Sequence, residues 1–175
     1  MNTFVTKCLD IFAQTTEHYH KFDNIDATPE NPYVAGSLED ILFRKNWIDA
    51  VQWHMEDIIR DPNIDPVAAL ALKRRIDKSN QDRTDLVEDI DTYFRELYKD
   101  VTPAADATIN TESPAWAVDR LSILALKIYH MRQEVERTDA SEQHIAKCSA
   151  KLAVLLEQQQ DLSTAISQLI DDIAA

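Results

Sequence analysis

Two polar residues sit where leucine would be expected. From Lys73 to Asp91 the chain reads as helix, and its inward row runs Leu72, Ile76, Asn80, Arg83, Val87, Ile90, Phe94, Leu97 in alternating steps of four and three. Asn80 and Arg83 therefore interrupt an apolar stripe. A guanidinium in a core needs a partner, because an unpaired buried charge costs several kcal/mol or more. The nearest candidates lie upstream, in the segment Trp53 to Asp61, where His54, Asp57 and Asp61 follow one another along one flank of a helix. With Asp77 and Thr84 inward and Lys73 and Asp91 at the margin, two facing helices would assemble a base (His54), anion donors (Arg83, Asn80, Lys73) and carboxylates (Asp57, Asp77). Lys127 and His130, set in an apolar stretch, would line the same cavity. Such a set suits a small anionic ligand, with Arg83 pairing to it, Asn80 orienting it and His54 supplying a proton or a hydrogen bond.

The elements that must position these groups are all helical. One glycine, Gly36, and six prolines leave too few tight turns for a sheet protein. Apolar periodicity predicts five helices, about 2–22, 38–61, 66–99, 114–137 and 139–174, with Ser37, Asp65 and Ser113 as caps and Thr138-Asp139 opening the fifth. The stripe of the second helix is Leu38, Ile41, Ile48, Val51, Met55, Ile58; the fourth is apolar nearly all round and belongs in the middle. The expected fold is all-α, an antiparallel bundle of about five helices in a single domain, 1–175.

Composition excludes several classes. Eighteen Lys and Arg against 31 Asp and Glu give a formal net charge of −13, which repels phosphate backbones and anionic lipid, so no nucleic-acid partner is expected. No stretch approaches the roughly 20 apolar residues of a membrane span, and the start has no signal-peptide pattern, so no membrane insertion and a cytoplasmic location are expected. Cys8 and Cys148 are too few and too far apart for a disulfide framework, and read as reduced core thiols without a histidine to activate them.

Other readings of these residues stand beside this one. The polar row also reads as a buried ion-pair network that fixes helix register. Glu56, Asp57, Asp85, Glu88 and Asp91 are superficially similar to the acids of helical, magnesium-dependent nucleotide pyrophosphatases. By helical angle, however, Glu56 and Asp57 point to different sides and Asp85 points outward. Glu17 and His20 have a di-iron spacing without the second motif such sites need. No metal and no cofactor are expected, and neither a nucleophile elbow nor a phosphate-cradling glycine loop is present.

The wording of several segments is that of a family. Lys45-Asn46-Trp47-Ile48-Asp49, Gln52 through Pro62, Lys73 through Asp85, Asp119-Arg120-Leu121-Ser122-Ile123-Leu124 and Leu126 through Met131 resemble an uncharacterised bacterial family, domain of unknown function 4254. The helix from Cys148 to Asp171 is similar to it too. The resemblance implies a helical bundle of Bacteroidetes-type bacteria, sometimes encoded near genes for surface-polysaccharide assembly, and implies no activity. Ala115-Trp116-Ala117 stands where relatives carry a glycine, so a close backbone approach there is not expected.

Three readings follow. The first is a bundle binding a small anionic ligand or a partner helix through His54, Asp57, Asp77, Asn80, Arg83 and Lys127. The second is a metal-assisted phosphohydrolase using Asp57, Asp77 and Asp91. The third is a structural or homodimerising bundle without catalysis.

Overall fold

A computed structural model describes residues 3–175. Five helices follow in order: α1 Thr3–Tyr19, α2 Leu38–Ile59, α3 Pro66–Leu97, α4 Pro114–Glu136 and α5 Glu142–Ala174. No strand occurs among the described residues. No described helix is long and apolar enough to cross a membrane.

Side-chain caps set the starts of α2 to α5. The Ser37 hydroxyl accepts from the Asp40 N–H at 3.1 Å, and the Asp65 carboxylate accepts from Ala68 N–H at 2.9 Å, with Pro66 as the first helical residue. Ser113 caps α4 in the same way. The fifth helix departs from expectation. Ser141, not Asp139, is its cap, accepting from His144 N–H at 3.2 Å. Asp139 instead pairs with Arg137, ahead of the helix. At the far end of α1 the chain turns at Asp23, whose φ is +45°, and Gly36, at φ +79°, lets it re-enter α2.

The bundle is built around α4, which packs against the other four helices. Its Ala115, Val118, Leu121 and Leu126 are buried with Val5, Phe12 and Tyr19 of α1, Leu42 and Trp47 of α2, and Val87, Ile90 and Phe94 of α3. A smaller cluster, Met55, Leu72 and Ile76, clamps the α2–α3 turn. The inward row of α3 holds from Leu72 to Phe94, whereas Leu97 is exposed. The stripe predicted for α2 is incomplete. Ile58 is exposed, while Asp40, Lys45, Asn46 and Asp49 are buried, because the first half of α2 is enclosed by α1, α3 and α4.

Candidate functional site

The most buried polar groups lie between α1, α2 and α4. Lys45 has no exposed side-chain surface; its Nζ is 2.5 Å from Asp49 Oδ2 and 2.8 Å from Asp119 Oδ1. The Ser122 hydroxyl donates to Asp49 Oδ2 at 2.6 Å, and the Asn46 amide donates to Ser122 Oγ at 2.9 Å. The Thr16 hydroxyl donates in turn to Asn46 Oδ1 at 3.0 Å. Burial pushes the Asp49 carboxyl above its ordinary range, opposed by the Lys45 ammonium and the Ser122 hydroxyl. Nearly every donor in this network finds an acceptor inside the protein, so its chemistry is to hold three helices in register.

Arg83 joins the network at its edge. Its Nη1 lies 3.5 Å from Asp119 Oδ2, on α4, so its carboxylate partner is not among the acids of α2. The other side of Arg83 faces a cavity of about 210 Å³, lined also by Asp49, Gln52, Trp53, Glu56, Arg60, Ile123 and Leu126.

The predicted cluster does not assemble as one group. Asn80 accepts from the Gln52 amide at 3.0 Å, and Ser79 donates to the Gln52 carbonyl, so these residues tie α3 to α2. Asp77 is taken by Lys73 on the exposed face of α3, and Asp57 pairs with Arg60 at 3.1 Å. Asp91 lies further along α3, half-buried. His54 faces away from Arg83, towards α1 and α4.

There His54 meets two other histidines. The ring centroids of His20, in the turn after α1, and of His130, on α4, lie 5.4 and 5.8 Å from that of His54, and 5.0 Å from each other. One ring nitrogen from each falls within 4.8 Å of the others. The buried Nε2 atoms of His20, His54 and His130 have no hydrogen-bond partner. Burial and the neighbouring rings push the His130 imidazole down to about 4, and the same causes lower His54. Trp53 stacks on His130, with centroids 4.7 Å apart and planes 11° from parallel.

Beyond that stack opens a groove of about 880 Å³ between α2, α4 and α5. Trp53, Met131, Ala150, Val154 and Leu155 supply apolar walls. Lys127, Lys147 and Lys151 supply cations, and Gln133 and Gln158 supply amides. Two of the predicted site residues, Asp57 and Lys127, line it. At its rim Glu134 Oε2 is 2.7 Å from His144 Nε2, which lies 3.4 Å from Cys148 Sγ. Cys148 thus does have a histidine neighbour one turn away, contrary to expectation.

Sequence reasoning missed Lys45, Asp49, Asp119, His20 and Trp53. A Lys–Asp pair one turn apart, flanked by Phe43 and Trp47, was the available signal for the first two. No curated protein and no solved structure matches the chain. Residues 39–175, most of α2 and everything after it, match the family described as protein of unknown function (DUF4254), and the chain belongs to that family.

Proposed function

We propose that the groove between α2, α4 and α5 binds a small anionic ligand that carries a flat ring. The observation that carries this reading is the convergence of Lys127, Lys147 and Lys151 on one apolar cleft, beside the stacked Trp53 and His130, in a chain of net charge −13. The general acidity repels anions, and the groove's own carboxylates are engaged, Asp57 by Arg60 and Glu134 by Arg137 and His144, so its three lysines mark the place where an anion is accepted. The indole offers a face for stacking, and the cavity is of the size that holds a small organic ligand. Nucleoside phosphates, including sugar nucleotides, have this chemistry. A sugar nucleotide also fits the association with polysaccharide assembly that the family resemblance implies. Compared with the first sequence reading, the ligand moves from Arg83 to the groove, and Lys127 and Asp57 stay with it.

Thermal melting with a nucleoside 5′-monophosphate, a sugar nucleotide and inorganic phosphate tests the reading. A ligand at 100 times its Kd adds about 2.7 kcal/mol, a rise in Tm of roughly 5–10 °C for a domain of this size. The nucleotides should stabilise more than phosphate alone, and Lys127→Met with Lys151→Met should abolish the shift. No shift with any of the three, or an equal shift in the double variant, overturns it. Gel filtration decides against the dimeric alternative if the chain runs as a monomer. A dimer broken by Val154→Glu would place a second copy in the groove instead.

A further inference from the structure

We propose that His20, His54 and His130 form a binding site for one divalent transition-metal ion of the zinc class. Three imidazoles from separate segments of the bundle converge, and none of their buried Nε2 atoms has a hydrogen-bond partner, with Asp23 Oδ1 standing 4.0 Å from His20 Nε2. A buried polar atom left without a hydrogen bond costs about 1–3 kcal/mol, so three together ask for a common occupant. His18 shows what an isolated case looks like. Its Nε2 also has no partner, but its neighbours are Phe22, Phe43 and Trp47, and no second ligand atom accompanies it.

The surroundings orient the rings and set carboxylates near them. His20 Nδ1 donates to the Thr16 carbonyl at 2.7 Å, which fixes the tautomer and leaves the Nε2 lone pair free to ligate. A hydrogen bond between the two side chains ties the His130 ring to Gln133. Asp57 acts electrostatically on both His54 and His130, and Asp23 on His54, so carboxylates that do not ligate still lower the energy of positive charge here.

Geometry and donor type select the ion. Zinc at about 2.0–2.1 Å from three nitrogens holds them roughly 3.4 Å apart. The rings need to close by little more than 1 Å from the present limit of 4.8 Å. Three neutral nitrogens suit zinc, cobalt, nickel or copper and do not suit magnesium or calcium. Because His130 also lines the groove, a fourth coordination position would open towards it. The metal site stands on the histidines alone and does not depend on the anion reading.

The test uses the full chain, stripped of metal by a chelator and dialysed. Titration with Zn²⁺ should show one equivalent bound with a micromolar or tighter Kd and a raised Tm. Co²⁺ in its place should give the visible bands of a four-coordinate nitrogen site without a sulfur-to-cobalt charge-transfer band. Cys148→Ser should keep the site, and His54→Leu or His130→Phe should weaken it at least 100-fold. The parent's cobalt spectrum needs no variant, so a misfolded histidine variant leaves the proposal testable. Absence of a stoichiometric site overturns it. So does a thiolate band, or binding lost in Cys148→Ser, since either would place the metal at Glu134, His144 and Cys148.

Discussion

Lys45 of α2 and Asp119 of α4 meet inside the bundle, Nζ to Oδ1 at 2.8 Å, with the lysine wholly enclosed. The pair links a helix that borders both cavities to the helix around which the others pack. Asp49 and Asp119 offset the charges of Lys45 and Arg83, so the four groups sum to zero. Such a network specifies one register more than it stabilises, because desolvation offsets much of the Coulomb attraction.

Breaking that network from one side is the harsher change. Asp119→Ala leaves Lys45 with one carboxylate and Arg83 with none, and should cost about 3–5 kcal/mol. Replacing Lys45 by Met together with Asp49 and Asp119 by Leu removes the buried charges as a set, and this triple variant should be more stable than Asp119→Ala. Urea unfolding measures both. If Asp119→Ala costs under about 1 kcal/mol, the network is not what holds α2 to α4.

Arg83 and Asn80 should behave differently from Asp119. The Arg83 side chain keeps a quarter of its surface in solvent, and Asp119 retains Lys45 when Arg83 is gone. Arg83→Met should therefore cost about 1 kcal/mol or less. Asn80→Leu strands the amide of Gln52, but that amide is half-buried and water can replace the lost partner, so roughly 1 kcal/mol is expected. Thermal melts of the two variants beside the parent check this. A loss of several kcal/mol at Arg83 would make it part of the structural network, not a group free to meet a ligand.

The difference between what was legible and what was not has a physical basis. Asn80 and Arg83 stood out because α3 is amphipathic, and a polar residue inside a clean stripe is a local signal. Asp119 gave no such signal, since the sequence of α4 is apolar nearly all round and periodicity does not mark its inward direction, although Trp116, Arg120 and Lys127 prove to be exposed. Lys45, Asn46 and Asp49 were hidden for the same reason in the enclosed half of α2, where stripe reasoning selected Ile58 and left the true interior out. The histidine cluster draws on α2, α4 and the turn after α1, and periodicity within a helix says nothing about which helices face one another. The five helices were legible because capping and apolar spacing are local; their ends shifted by a few residues, α1 stopping at Tyr19 rather than near 22 and α5 starting at Glu142 behind its Ser141 cap.

Cys8 offers a check on the core that neither cavity disturbs. It has no exposed surface, and burial pushes its thiol from an ordinary 9.0 up to about 12. The folded value is raised above the unfolded one, so the thiol's contribution is fully present below pH 9 and is lost as pH rises towards 12. Three units correspond to about 4 kcal/mol at most. In a Cys148→Ser background, Cys8 should resist a disulfide reagent at pH 8 and react only as the chain unfolds. Adding Cys8→Ala should lower stability by a roughly constant amount below pH 9, the cavity term. Between pH 9 and 11 the gap between the two chains should narrow, because only the chain with the thiol is penalised as the pH rises. A gap that stays constant up to pH 11, or fast labelling of the folded chain at pH 8, would show that Cys8 is solvated and that α1 does not close over the core as described.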